Sequence, residues 1–291
     1  MTHSRTSSRL ALIQLHTAVF LFGLAGLFGK FLPLPPLFIV LGRTLFASLS
    51  LALLLPFLAN NSPMSHRPAW KWLLLSGIVL AIHWGTFFHS IQISTVAIGL
   101  LTFSSFPFFV TLLEPWLFRE RWRWLDLATA CLVLTGLALI VPHFDLANNL
   151  TRGAFWGILS GLTFAILSLI NRHLVATHPP ILLAACQNLI AALALAPFVL
   201  PHLIRPDLRT LLLLAILGIL CTALAHVLFI KSLAHVRAQL ASTVAGLESV
   251  YGITLAFLLL GEVPSPRTLL GGTIVLAAVI LATLKRPQPA S

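Results

Sequence analysis

The residues with the sharpest chemistry in this sequence are a few polar groups embedded in apolar runs. Glu248 lies in Leu247-Glu248-Ser249-Val250-Tyr251-Gly252, with Tyr251 about one helical turn on. A carboxylate there can bind a substrate ammonium or exchange a proton; equally it can pair with Arg43 or stay protonated in its surroundings. Arg43 lies about a third of the way into an apolar run, where a mid-depth arginine costs roughly 2.5–3.5 kcal/mol on insertion scales. It can meet a substrate carboxylate, or it can serve carbonyls at a helix end, and the structural role weighs more. His83 and Trp84 offer a proton relay and a stacking face with one donor. A histidine in lipid can also be a neutral hydrogen-bond partner between helices. The amides of Asn171, Gln187 and Asn188 can read polar ends of a substrate or join helices at roughly 1 kcal/mol each. The candidate cavity set is therefore His83, Trp84, Glu248, Tyr251, Asn171, Gln187 and Arg43. Glu114 lies close enough to Arg119 and Arg121 to be neutralised by them.

These groups stand out because of what surrounds them. Of 291 residues, 58% are hydrophobic and only 9% charged, with a mean hydropathy of +1.00. A soluble domain carries roughly 25% charge, so the solvent that suits this chain is lipid. The net charge of +11 does not point to nucleic acid, because the basic residues sit singly between apolar runs rather than on one face. Cys131, Cys186 and Cys221 lie inside apolar runs without metal-ligand spacing and read as small hydrophobes.

Ten apolar runs are long enough to cross about 30 Å of hydrocarbon: 10–29, 36–58, 71–90, 95–117, 124–141, 153–171, 181–200, 210–230, 238–260 and 267–284. They are continuously apolar rather than alternating, which excludes a β-barrel and predicts an all-α integral membrane protein. The first run is longer than the apolar core of a signal peptide, so it is expected to remain as a span. With a cytoplasmic N-terminus, the inner segments hold 12 Lys and Arg and the outer ones 5. Both termini are therefore expected in the cytoplasm.

A shift of 142 residues places Phe87 on Phe229, Ser90 on Ser232, Glu120 on Glu262 and Lys30 on Arg172. That spacing splits ten spans into two fives, residues 1–148 and 149–291. Five is odd, so the second half enters the membrane upside down, as in transporters with a midplane site between inverted repeats. The chain resembles the drug/metabolite transporter superfamily, specifically its EamA-type branch. The resemblance rests on Arg43-Thr44-Leu45-Phe46-Ala47, the Phe87 to Ser90 stretch, and the paired segments ending in Glu120 and Glu262. It implies two inverted five-helix repeats around a central cavity, moving amino acids or other small metabolites, commonly outward and without ATP.

The expected function is thus a secondary transporter exporting a small metabolite such as an amino acid by alternating access. The expected setting is the inner (plasma) membrane, with a monomeric or weakly dimeric protein, a small-molecule substrate and no nucleic acid, metal or cofactor. No G-x-x-x-x-G-K-[ST], H-E-x-x-H or G-x-S-x-G occurs in the sequence. The rivals are an intramembrane enzyme using His83 and Glu248, and a non-transporting membrane subunit. Glu120 and Glu262 precede the fifth and tenth spans, where a carboxylate suits the positive end of a helix dipole. Gly153, Gly157 and Gly161, spaced by four, are expected to pack within the bundle rather than to dimerise.

Overall fold

The computed structural model describes residues 2–58, 70–118, 124–140, 145, 147–175, 177–202, 204–233 and 244–284. The expectations for Glu114, Arg119, Glu120 and Arg121 fall outside the described residues or side chains. Among the described residues the chain is all-helical. The helices are α1 (Thr2–Phe31), α2 (Pro36–Leu58), α3 (Trp70–Ile93), α4 (Val96–Phe103), α5 (Phe106–Phe118) and α6 (Trp124–Ile140). Then follow α7 (Asn149–Leu174), α8 (Pro180–Val199), α9 (Leu208–Gly218), α10 (Ala225–Leu233), α11 (Leu247–Leu260) and α12 (Pro266–Leu284). Among the described residues, seven helical stretches are long and apolar enough to cross a membrane, and Cys131–Ile140 and Leu247–Leu260 are shorter apolar helices. Their outer faces carry exposed Leu53, Leu193 and Phe198, which suits lipid and not water.

Local chemistry explains the helix starts. Proline opens α2, α8 and α12, where its missing N–H costs nothing and its φ is already helical. The Asn148 side chain caps α7 through Leu150 N at 2.8 Å, and Asp207 caps α9 through Thr210 N at 2.8 Å. The run expected as one span over 95–117 is two helices. Ser104 and Ser105 interrupt it, their hydroxyls donating to the carbonyls of Leu100 (3.0 Å) and Thr102 (2.7 Å). Both carbonyls also accept from the backbone, from Ser104 N at 3.0 Å and Ser105 N at 3.2 Å, so the hydroxyls reinforce the turn that ends α4, and Pro107 just beyond cannot donate to it.

Glu262 does serve a helix N-terminus, but a different one from that expected. Its carboxylate accepts from Val96 N, the first residue of α4, at 2.9 Å. Gly261 takes the left-handed conformation (φ 67°) that ends α11, and Ser265 already accepts from Thr268 N at 3.1 Å in the first turn of α12. With α12 capped from within, Glu262 is left for α4. Nearby, Lys30 at the end of α1 donates to the Ser94 carbonyl at 2.7 Å.

Helices pair through small residues. The stripe of α7 packs inside the bundle: Gly157 faces Thr102 and Ser90, and Gly161 faces Ser105 and the Phe103 carbonyl. Two further close approaches have matching form. A Cβ on Gly77 of α3 would lie 2.5 Å from Ile190 Cβ and 3.1 Å from the Gln187 carbonyl oxygen of α8. A Cβ on Gly218 of α9 would lie 2.5 Å from Phe46 Cβ and 2.7 Å from the Arg43 carbonyl oxygen of α2.

Candidate functional site

The polar residues of the bundle core converge on one small enclosed cavity of about 40 Å³, room for about three waters. Arg43, His83, Trp84, His226 and Glu248 form its polar wall, and Phe22, Phe87, Phe103 and Phe164 its apolar wall. Each comes from a different part of the chain: Arg43 from α2, His83 and Trp84 from α3, His226 from α10, Glu248 from the first turn of α11. Glu248 is the second residue of α11, whose start carries no side-chain cap. Ser249 fixes that terminus against the break between α4 and α5: its Oγ lies 2.6 Å from Ser104 Oγ and 3.0 Å from the Leu100 carbonyl, so one of the two hydroxyls donates to that carbonyl and the other to its neighbour.

Arg43 is 2% exposed. Its Nε donates to Thr222 Oγ1 at 2.9 Å, and its guanidinium carbon lies 3.9 Å from the Trp84 ring centroid, a cation–π distance. Trp84 in turn stacks on His226, with centroids 5.5 Å apart and planes at 26°. The two Nη groups of Arg43 make no hydrogen bond to the described residues, and neither do the carboxylate oxygens of Glu248. No Arg43–Glu248 ion pair within 4.0 Å is present. The Arg43 guanidinium and the Glu248 carboxyl thus line one void without meeting, which leaves polar atoms of both for a ligand that bridges them.

His83 Nδ1 faces Ser160 of α7, 3.0 Å from its carbonyl and 2.9 Å from its Oγ, and that hydroxyl is also 3.2 Å from the His83 carbonyl. With Nδ1 protonated the ring donates to the Ser160 carbonyl; with Nδ1 bare it accepts from the Ser160 hydroxyl. In either form this nitrogen joins α3 to α7, and the ring lines the cavity.

The remaining expected residues lie elsewhere. Gln187 Nε2 donates to Asn171 Oδ1, so these amides join α8 to α7, and neither lines the cavity. Tyr251 is half-buried and packs edge-on against Phe20, centroids 5.7 Å apart. Sequence reasoning had overlooked His226, whose Nδ1 is buried without a partner, along with Thr222 and the ring of phenylalanines. A signal for two of these was present. The shift of 142 that relates Phe87 to Phe229 also relates Trp84 to His226 and Phe22 to Phe164, and the four last-named residues all line this cavity.

A second void, open and far larger at about 740 Å³, lies between α2, α8 and α9. It is lined by Leu41, Leu45, Leu49, Leu189, Leu214 and other mainly aliphatic side chains, with Ser48 and Cys186 among them, and no charged group among the described residues faces it.

The family model of EamA-like transporters matches the chain twice, over residues 9–141 and 151–284. The chain belongs to the EamA-like transporter family. The uncharacterized transporter YxxF of Bacillus subtilis (strain 168) is 24% identical over 291 residues, covering 97% of this chain and 92% of its own. The uncharacterized transporter YwfM of the same strain is 25% identical over 226 residues, 76% of each chain. The S-adenosylmethionine uptake transporter of Rickettsia bellii (strain RML369-C) is 24% identical over 239 residues, covering 82% of this chain and 80% of its own. A solved crystal structure shares the fold, with a TM-score of 0.66 at 19% identity over 94% of this chain and 97% of that one. The family and these relatives are transporters, which sets aside the intramembrane-enzyme alternative. This EamA-family protein is a multi-pass membrane transporter.

Proposed function

We propose that this transporter carries a small zwitterion of the amino-acid type by alternating access, binding its carboxylate at Arg43 and its ammonium at Glu248. The observation that carries the proposal is the unbridged guanidinium and carboxylate facing one closed cavity. Trp84, His226 and the phenylalanines receive the apolar part of the solute, and the His83 ring offers it a polar edge. A cavity of about 40 Å³ is too small for such a molecule, so it represents the site between its two open states, and loading it requires the helices to part.

The proposed frame is ten spans in two inverted repeats, residues 1–148 and 149–291, with both termini cytoplasmic in the inner membrane. Helix pairing supports it. Exchanging the halves maps the α2–α8 and α6–α12 contacts onto themselves, and maps α3 on α7 to α10 on α1. The double match of the family model also supports it. Outward transport remains part of the proposal, although four relatives, all from Rickettsia, are named S-adenosylmethionine uptake transporters; S-adenosylmethionine bears the same ammonium and carboxylate pair.

The test is counterflow in proteoliposomes at two pH values and in both directions, using labelled L-methionine and labelled S-adenosylmethionine. Glu248→Gln should reduce flux of the carried solute about tenfold or more, from loss of a charge-assisted contact, while the protein inserts normally. Wild-type flux in Glu248→Gln would remove the ammonium site.

A further inference from the structure

The two glycine approaches equate Gly77 with Gly218, and Arg43 with Gln187, because each glycine meets a backbone carbonyl and, three residues on, a Cβ of the partner helix. Pro36 and Pro180, the first residues of α2 and α8, fall in the same correspondence. Farther along, Trp84 and His226 stack on each other at the cavity. Trp84 is seven residues beyond Gly77, whereas His226 is eight beyond Gly218. The second half therefore holds one extra residue between these landmarks. That interval contains the π-helical stretch Ile219–Leu224, while α3 runs unbroken from Trp70 to Ile93. A π turn is the form in which a helix absorbs a single inserted residue, and such turns concentrate at functional sites.

Thr222 sits inside that stretch. Its hydroxyl donates to the Leu217 carbonyl, five residues back, at 2.7 Å, where a regular helix would offer the carbonyl three or four back. With its hydrogen committed, the oxygen presents lone pairs to Arg43 Nε at 2.9 Å. The candidate counterparts in α3, Leu80 and Ala81, carry no hydroxyl, and Gln187 at the Arg43 position bonds within its own half, to Asn171.

We propose that Thr222 is the positioning residue for Arg43, and that the one-residue insertion forming the π stretch exists to deliver its hydroxyl there. With Nε held on Thr222 and the guanidinium carbon 3.9 Å from the Trp84 centroid, both Nη groups stay without a partner among the described residues, which leaves them to bind a carboxylate by two parallel bonds. The proposal rests on the two-repeat reading and on a carboxylate at Arg43.

The test uses full-length protein in nanodiscs, labelled with 15N-arginine, with the Nε–H resonance of Arg43 identified by its loss in Arg43→Lys. Thr222→Ser should keep that resonance near its wild-type position, and Thr222→Val should shift it or expose it to solvent exchange. In proteoliposomes, Thr222→Val should raise KM for labelled L-methionine or S-adenosylmethionine about tenfold with Vmax within about twofold, and Thr222→Ser should restore it. If Thr222→Val does not fold, Thr222→Ala removes the same hydroxyl without adding a methyl. An unmoved Nε resonance, or an unchanged KM, in the hydroxyl-less variant overturns the positioning role. If the wild type carries neither probe, the solute reading fails, and the resonance still decides the role of Thr222.

Discussion

Arg43 and Gln187 occupy matching places in helices that both open on proline, and both are buried, yet they do opposite things. Arg43 turns its guanidinium to Trp84, Thr222 and the cavity. Gln187 turns its amide to Asn171 on the neighbouring helix and leaves Oε1 without a partner. The backbone setting is shared down to the glycine that each carbonyl meets, so packing alone does not make a substrate site. The frame is built twice and the charge is placed once. Under the proposed function, the solute binds in one orientation, with its carboxylate toward Arg43 and its ammonium toward Glu248.

The largest expected effect comes from making the first half resemble the second at this position. Arg43→Gln keeps a polar amide and removes the charge, so it should lower counterflow about a hundredfold, the upper range for a charge-assisted, bidentate contact. Insertion should not suffer, since a charged residue in the bilayer has been replaced by a neutral one. Flux near wild type would show that Arg43 and Gln187 do the same structural work, and would break the contrast.

Next comes the shared frame. Gly77→Leu and Gly218→Leu each force a side chain into a space where even a Cβ would sit 2.5 Å from a neighbouring Cβ and close to a backbone oxygen. Overpacking of this kind costs about 1–3 kcal/mol, and the two variants should lower thermal stability to a similar extent. A large loss in only one of them would mean that the two crossings are not equivalent. That would remove the register on which the inserted residue of the π stretch is counted.

The sequence carried most of the frame and part of the site. Continuous apolar runs force helices, because lipid leaves the backbone no other partner, and Pro36, Pro180 and Pro266 marked three helix starts. The convergence of Arg43, His83, Trp84 and Glu248 followed from a simple rule: charge and imidazole do not stay in hydrocarbon without a cavity or a partner. That same rule cannot separate a cavity amide from one joined to another amide. Gln187 and Asn171 were therefore grouped with the cavity, although each satisfies the other. The one-turn spacing puts Tyr251 on the same side of α11 as Glu248, about 60° around the helix, yet its ring packs against Phe20; the spacing gives the side of the helix and not the neighbour that each side chain meets. Thr222 was illegible for a different reason. Its role depends on a π turn, which shows only when the two halves are compared in three dimensions. Glu262 illustrates the same limit at a helix end: the sequence indicated a capping carboxylate, while the helix that receives it lies across the bundle.

A smaller effect tests the quieter member of the pair. Gln187→Leu removes the bond to Asn171 but also removes a buried amide oxygen that has no partner. Hydrogen bonds between membrane helices average about 0.6 kcal/mol, so the stability change should be at most about 1 kcal/mol and counterflow should stay within about twofold of wild type. A tenfold fall in flux would move Gln187 into the site and restore the symmetry that the contrast denies.

The smallest effect concerns the far end of the helix that carries Gly218 and leads into the π stretch. Asp207 caps α9 from outside the apolar spans, accepting from Thr210 N at 2.8 Å. Hydrogen bonds from Thr210, its side chain first, hold the Asp207 carboxyl below its ordinary value. A depressed folded-state value means that the cap is fully present above the ordinary aspartate range and is lost as pH falls through the depressed value. Titrating the carboxyl by carbon NMR should give a midpoint below that of an unstructured aspartate. Asp207→Ala should loosen the first turn of α9, seen as faster amide exchange at Thr210. Flux should remain at the wild-type level, because the crossing at Gly218 and the bond from Thr222 to Arg43 lie two and more turns deeper. A midpoint at or above the ordinary value would deny the cap. A fall in flux would show instead that the position of Arg43 depends on the whole of α9 and not on the π stretch beside it.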